Sequence, residues 1–83
     1  MNGDLFRAKT EYYMKLRHMH GGWEQLRQHL TSDHSYKPPS NKTLINYKRN
    51  PNLMPIGIFK QIMTTLNVPK EEQIELFNSK EEK

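Results

Sequence analysis

Apolar residues recur at intervals of three and four along most of the chain, which is the spacing of helices with one buried face. This pattern predicts a compact all-α domain of five helices, over 4–19, 23–30, 40–50, 54–66 and 70–78. The residues expected to form its core are Leu5, Phe6, Tyr12, Tyr13, Leu16, Met19, Trp23, Leu26, Leu30, Leu44, Tyr47, Ile56, Phe59, Ile62, Met63, Leu66, Ile74 and Phe77. The domain is expected to cover 1–78 and to be followed by a frayed polar tail over 79–83.

Capping residues predict where several of these helices begin and end. Asp4 is expected to cap the first helix, and the glycine pair at 21–22 to end it, because glycine adopts left-handed backbone conformations readily. Ser40 is expected to cap the third helix, since its hydroxyl can accept a free backbone N–H of the first turn. Asn50 and Asn67 are expected in the left-handed conformation that ends helices.

The third helix separates an apolar side from sides that carry hydrogen-bond donors. Leu44 and Tyr47 are three residues apart and share one face, which we expect to be buried. The polar and cationic residues that fall largely on the other faces are Asn41, Lys42, Asn46 and Arg49. Amide and cationic donors suit base edges and phosphate groups, so this helix is a candidate DNA recognition helix.

The segment 31–39 is expected to be a long loop between the second and third helices, because small polar residues there precede two consecutive prolines. It is long for a helix connection in so small a domain, and loops of this length are often functional. It brings Tyr36 and Lys37 to the start of the third helix.

The net charge of +4 is unevenly distributed along the chain. Residues 1–70 hold eleven Lys and Arg against four Asp and Glu, whereas residues 71–83 hold two Lys against five Glu. No acidic residue lies between Asp33 and Glu71, and the third helix is inside this segment. A regional positive charge attracts polyanions such as nucleic acids. A general surplus of lysine, which is common in small soluble proteins, is the other explanation.

The chain resembles the phage Cro and lambda-repressor-like helix-turn-helix family over nearly its whole length. The third helix of that family has the form Ser-x-x-Thr-Ile-x-x-Trp-Glu-x-Gly, and this chain has Ser40 and Thr43 at the matching positions, with Leu44 and Tyr47 as similar replacements. A proline-containing turn and an amphipathic fourth helix follow in both. Arg27 stands where the family usually has alanine, and the loop at 31–39 is longer than the usual tight turn.

The resemblance implies sequence-specific binding of double-stranded DNA, with the third helix in the major groove, by a phage or mobile-element transcription regulator such as a repressor. Base edges would be contacted by Asn41, Lys42 and Asn46, because asparagine can pair with adenine and lysine with guanine. Phosphates would be contacted by Lys37, Lys48 and Arg49. The longer loop could place Tyr36 beside the DNA backbone, and Thr43 matches a family position that often contacts it.

Other chemistry finds little support in the residues. Cysteine is absent, which excludes disulfides and thiolate metal sites. His18, His20, His29 and His34 do not form an i, i+4 pair on one helix with a carboxylate, so we expect surface histidines and no metal site. Neither a cysteine nucleophile nor a glycine-rich phosphate loop is present. The chain is therefore not expected to be an enzyme or to hold a cofactor.

Two further partners remain open alongside DNA. The alternative function is a protein-binding adaptor or inhibitor that uses the helical scaffold to bind a host or regulatory protein, which the long loop and Arg27 would favour. Ile74 and Phe77 could also serve a homodimer, since helix-turn-helix proteins commonly bind paired half-sites. No apolar run is long enough to span a bilayer, so we expect no membrane partner and a cytoplasmic or nucleoid location in a bacterial host.

Overall fold

The computed structural model describes residues 1–32 and 36–80. The helices in this part of the chain are α1 (Gly3–Leu16), α2 (Gly22–Gln28), α3 (Asn41–Arg49), α4 (Ile56–Leu66) and α5 (Lys70–Phe77), and a 3-10 turn (Pro51–Leu53) separates α3 from α4. The same residues contain no strand. The predictions of an all-α fold, of five helices and of a long connection between α2 and α3 are confirmed.

Side chains from all five helices meet in one core. The largest share comes from α4, in which Ile62 and Leu66 are completely buried. The other buried apolar side chains are Phe6, Tyr13, Met14, Leu26, Leu30, Leu44, Met54, Ile58, Phe59, Met63, Val68 and Leu76. Burial of each large aliphatic or aromatic side chain stabilises the fold by about 1.5–3 kcal/mol, so this cluster fixes how the helices pack.

Several residues predicted to lie in the core are on the surface. Tyr12, Leu16, Ile56, Ile74 and Phe77 each leave between 49% and 60% of their area exposed. In α4 the buried side is defined by Ile58, and Ile56 lies two residues away on the opposite side of the helix. In α5 it is Leu76 that is fully buried, whereas Ile74 and Phe77 are half-exposed. The Phe77 ring still packs against Phe59 of α4, with 5.9 Å between ring centres, so it docks α5 from the edge of the core.

The ends of α1 differ from the prediction. Asn2, rather than Asp4, caps the helix, because its side-chain oxygen accepts the backbone N–H of Leu5 at 3.1 Å. The helix stops at Leu16, before the glycine pair, and His18 takes the left-handed conformation with φ of 58°. The left-handed residue that follows α1 is therefore a histidine, whereas the sequence predicted a glycine there.

The N-terminal cap of α3 is confirmed, whereas the prediction for its C-terminal end is wrong. Ser40 Oγ accepts the backbone N–H of Thr43 at 3.2 Å. Asn50 has φ of −136° and ψ of 87°, outside the left-handed region. Its side-chain oxygen instead accepts the backbone N–H of Asn52 at 3.3 Å, so Asn50 caps the 3-10 turn that leads towards α4.

The end of α4 follows the prediction. Asn67 is left-handed with φ of 54°, and the backbone N–H of the next residue, Val68, returns to the carbonyl oxygen of Met63 at 3.0 Å. The guanidinium of Arg17, the residue that follows α1, donates to the carbonyl oxygens of Leu66 and Asn67 at 2.9 and 3.1 Å. These contacts satisfy carbonyl groups that have no partner within the helix.

The two termini of the described chain lie together. The backbone N–H of Asn2 donates to Ser79 Oγ at 2.9 Å, and the Asn2 amide donates to the carbonyl oxygen of Lys80 at 3.1 Å. The first two residues of the tail that was predicted to fray are thus tied to the start of α1. The remainder of that tail, 81–83, lies outside the described residues.

Candidate nucleic-acid interface on helix α3

Helix α3 has one side in the core and one side in solvent. Leu44 is 5% exposed, and Tyr47 packs against the core cluster. The exposed residues of the helix form what we call the outward face of α3, which consists of Asn41, Lys42, Ile45, Asn46 and Arg49. Their spacing places them on one continuous strip of the helix surface. The predicted base-contacting residues and Arg49 are therefore brought together.

The N-terminal end of α3 is fixed by its cap and by an arginine from α2. Ser40 Oγ and Thr43 Oγ1 are 2.9 Å apart, so the Thr43 hydroxyl is engaged in the cap. Arg27 Nη1 donates to the carbonyl oxygen of Pro39 at 2.9 Å, and two further guanidinium hydrogen bonds, at 2.7 and 3.1 Å, reach the carboxylate of Glu24. Arg27 thus ties α2 to the residue that precedes the cap of α3.

The C-terminal end of α3 is fixed by an arginine from α1. Arg7 Nη1 donates to the carbonyl oxygens of Lys48 and Arg49 at 2.7 and 3.1 Å, and Arg7 Nη2 pairs with Asp4. The last carbonyl groups of a helix have no partner within it and carry its negative dipole end, so a guanidinium there stabilises the helix. Both ends of α3 are consequently held by arginines from other helices.

The loop between α2 and α3 is also tied to the rest of the domain. Thr31 exchanges hydrogen bonds with the side-chain amide of Gln61 on α4, the shortest of them 2.8 Å from the Thr31 nitrogen to Gln61 Oε1. The backbone N–H of Ser32 donates to the carbonyl oxygen of Lys37 at 2.9 Å. Together with the bond from Arg27 to Pro39, these contacts connect both described ends of the loop to the domain.

The residues predicted to contact the DNA backbone have different environments. Tyr36 is 98% exposed, and Lys37 is exposed beside it. The ammonium group of Lys48 lies 5.2 Å from the centre of the Trp23 ring, in a cation–π contact on the side of α3 that faces α2. Lys48 is thus separate from the outward face of α3, and Arg49 is the cation that lies on it.

Trp23 lies at the edge of the core rather than at its centre. Its ring is partly buried and packs against Phe6, with 6.0 Å between ring centres. Lys48 covers part of the ring from α3. The predicted core anchor therefore also supports α3 from one side.

Some cationic groups of the domain contact protein groups, whereas others have no partner within the described residues. On α1, Arg7 pairs with Asp4, and Lys9 pairs with Glu72 at 2.9 Å. On the outward face of α3, Lys42 and Arg49 have neither an ion pair nor a side-chain hydrogen bond within the described residues. The outward face of α3 therefore presents unpaired positive charge to solvent.

Titratable groups far from α3 hold α1 against α5. The Tyr13 hydroxyl donates to one oxygen of the Glu72 carboxylate, and Lys9 donates to the other. The Tyr13 hydrogen bond is the main cause that lowers the pKa of Glu72, with the Lys9 bond adding to it. The same hydrogen bond raises the pKa of Tyr13 to about 12. On α2, the hydrogen bonds from Arg27 likewise lower the pKa of Glu24.

Sequence reasoning missed three residues of this region. Ile45 lies between Asn41 and Arg49 on the outward face, and its i, i+4 spacing from both is the signal in the sequence that indicates this position. Arg7 contacts Lys48 and Arg49, from which it is separated by 41 and 42 positions in the sequence. Arg27 contacts Pro39, from which it is separated by 12 positions. No local pattern in the sequence predicts such contacts.

The described histidines lie on the surface of the domain. His18, His20 and His29 are exposed, and His34 lies outside the described residues. Within 1–32 and 36–80, no three His, Asp or Glu side chains are placed to share a metal ion. None of the helices described has both the length and the apolar character that a membrane crossing requires.

Comparisons with protein-family models, with curated proteins and with solved structures found no match to this chain.

Proposed function

We propose that this protein binds double-stranded DNA in a sequence-specific manner, as a lambda-repressor-like helix-turn-helix regulator of transcription in a phage or mobile element. One observation carries the proposal. An exposed strip of amide and cationic donors lies along α3, and two arginines from other helices hold that helix at both ends. A nine-residue helix of this kind can enter a major groove, which is wide enough to admit an α-helix.

The outward face of α3 supplies the base contacts in this proposal. Asn41 and Asn46 are exposed and can each pair with adenine through two hydrogen bonds, and Lys42 can donate to guanine. Arg49, exposed at the end of the same face, contacts phosphate. Lys37 and Tyr36 reach the DNA backbone from the loop.

Lys48 and Thr43 have supporting roles in this proposal. The Lys48 ammonium stays above the Trp23 ring and adds positive charge beside the DNA major groove without contacting a phosphate directly. The Thr43 hydroxyl completes the cap with Ser40, so its first role is to fix the start of α3. A contact with a backbone phosphate would come in addition to that role.

The fixed ends of α3 support base readout over non-specific attraction. Contacts to base edges require side chains held in one geometry, whereas binding to phosphates tolerates mobility. The bonds from Arg7 and Arg27 restrain the backbone of α3 before DNA arrives, so the backbone ordering cost on binding is small and only the side chains of the outward face have to be ordered.

A homodimer on paired half-sites completes the proposal. A shallow apolar groove of about 180 Å³ lies between α4 and α5 and is lined by Ile56, Phe59, Lys60, Gln73, Ile74 and Phe77. Helix α5 also exposes Glu71 and Glu75. In a symmetric contact each copy would bring the Lys60 ammonium towards the acidic side of the other α5, so the patch is complementary to itself in both apolar surface and charge.

A fluorescence titration of a labelled duplex with the purified protein, at 50 mM and 200 mM salt, tests DNA binding. We expect binding at low salt and a loss of roughly tenfold or more in affinity at high salt, because each neutralised phosphate contributes a slope of about −0.9 in log K against log salt. Absence of binding to any duplex at low salt would overturn the proposal. Selection from random duplexes would then identify the preferred sequence and the half-site spacing.

The adaptor remains a second candidate function because of a groove on another part of the surface. It measures about 590 Å³ and is lined by Ala8, Glu11, Tyr12, Met14, Lys15, Met19, Gly22 and Trp23. No residue of α3 belongs to this lining, so the two functions use different surfaces. A variant Tyr12→Ala that binds duplexes like the wild type would separate the groove from the DNA interface.

A further inference from the structure

One apolar side chain lies at the centre of an otherwise polar surface. Ile45 is 50% exposed on the outward face of α3, one helical turn from Asn41 on one side and from Arg49 on the other. Lys42 and Asn46 complete its surroundings. Every neighbour on this face can donate a hydrogen bond, and Ile45 cannot.

Ile45 contributes little to the fold from this position. It belongs neither to the core cluster nor to the partly buried residues that pack against it. A β-branched residue at an exposed helix position is also less favourable than alanine, by up to about 0.7 kcal/mol. Helix stability and core packing therefore give no reason for isoleucine at this point.

The surface that Ile45 would meet in a major groove has one apolar group. The edges of adenine, guanine and cytosine present acceptors and donors there, whereas thymine also presents its C5 methyl group. Asn41 and Asn46 on either side of Ile45 suit adenine, and a thymine lies opposite each adenine in the pair. An aliphatic side chain between two asparagines thus matches the methyl-bearing strand beside the adenines that they contact.

We propose that Ile45 reads the methyl group of a thymine in the major groove and is a specificity-determining residue of α3. This inference rests on the proposed DNA binding and adds a contact that hydrogen bonding cannot supply. Asn41 and Asn46 select adenine by their amides, and Ile45 selects thymine by exclusion of water from its methyl group.

Replacement of single thymines by uracil in the selected duplex tests the inference. The change removes the C5 methyl group and keeps every hydrogen-bonding group of the base. We expect the wild type to lose about fourfold in affinity at one position of each half-site, the factor that corresponds to about 0.8 kcal/mol for one buried methyl group. Ile45→Ala should bind the thymine and uracil duplexes equally.

Leu16→Ala is the matched control. It removes an aliphatic side chain of nearly equal exposure, 49%, from α1. It should keep the wild-type ratio between thymine and uracil duplexes. Circular dichroism of each variant checks that the helices are intact, which we expect because Ile45 is outside the core.

The outcomes separate this inference from the proposed function. Binding of the selected duplex with no effect of uracil at any position would overturn the inference and leave DNA binding in place. An equal loss with uracil in the wild type and in Ile45→Ala would overturn it as well, because another residue would then read the methyl group. Failure to select any duplex would overturn both.

Discussion

Three arginines on α1, at its end and on α2 differ in their contacts from the two cations on the outward face of α3. Arg7, Arg17 and Arg27 each donate to backbone carbonyl oxygens at a helix end or beside a helix cap. Lys42 and Arg49 are exposed and have no ion pair or side-chain hydrogen bond within the described residues. The same kind of charge therefore holds the fold together in one region and faces solvent in the other.

The positively charged residues of the sequence therefore have two different roles. A guanidinium that donates to carbonyl oxygens satisfies groups that would otherwise lack partners, and its loss weakens the fold. An exposed cation with no partner contributes little to folding and remains available to an anionic ligand. The net charge of +4 alone therefore does not show that some cations stabilise the fold and that others are available to a ligand.

The largest effect is expected from Asn46→Ala on the outward face. Loss of a two-bond contact with a base should reduce affinity for the selected duplex by about 1–3 kcal/mol, which is roughly 5- to 150-fold. Affinity for a random duplex and the free energy of unfolding should not change. Competition binding with both duplexes measures this difference, and equal losses on the two would refute base readout by Asn46.

The next largest effect is expected from Arg27→Met, which keeps the aliphatic part of the side chain. The free energy of unfolding should fall by about 1.5 kcal/mol, because the Pro39 carbonyl oxygen and the Glu24 carboxylate lose their charged donor. Urea denaturation measures the change. Arg49→Met, the control on the outward face, should shift it by less than about 0.5 kcal/mol. Equal changes in the two variants would remove the contrast between the regions.

A smaller effect is expected from Arg49→Ala on the salt dependence of binding. Loss of one phosphate contact should lower the slope of log K against log salt by about 0.9 for each bound copy of the protein, with similar reductions in affinity on all duplexes. Lys15→Ala on α1 removes an exposed charge away from α3 and from the proposed dimer contact, and it should leave the slope unchanged. A slope that Arg49→Ala does not alter would exclude a phosphate contact at this position.

The smallest effect concerns Lys9, a cation of α1 that pairs with Glu72 on α5. The hydrogen bonds lower the pKa of Glu72 in the folded state. Its contribution to stability is therefore present above the pKa of an unfolded glutamate and is lost as pH falls through the folded value. Glu72→Gln should be less stable than the wild type at pH 7, and the difference should vanish in acid. Thermal unfolding across pH measures it, and a difference independent of pH would contradict the assignment.

The sequence predicted the fold best where one helix buries a continuous apolar stripe. In α4 the spacing from Phe59 to Leu66 could be recognised, and the Asn67 end followed from backbone preference. In α5 three apolar residues, Ile74, Leu76 and Phe77, cannot all share one side of so short a helix. Which of them is buried depends on the helices packed against it, so the choice of Leu76 could not be predicted from local spacing.

In the candidate site, too, features that follow from local helical geometry could be predicted, and features that depend on tertiary packing could not. The exposure of Asn41, Lys42 and Asn46 followed from the burial of Leu44 on the other side of α3, which helical geometry determines. The roles of Arg7 and Arg27 depend on contacts between helices that are distant in the sequence. Long side chains with several donors can reach many acceptors, so tertiary packing alone decides which carbonyl each arginine contacts.

Amide chemical shifts of the protein, measured by NMR during titration with the selected duplex at low salt, show which surface of the domain contacts DNA. We expect the largest changes on residues 41–49, smaller changes in the loop around Tyr36 and none centred on the groove that Tyr12 lines. Changes centred on that groove, or no changes at all on addition of duplex, would contradict DNA recognition by the outward face of α3.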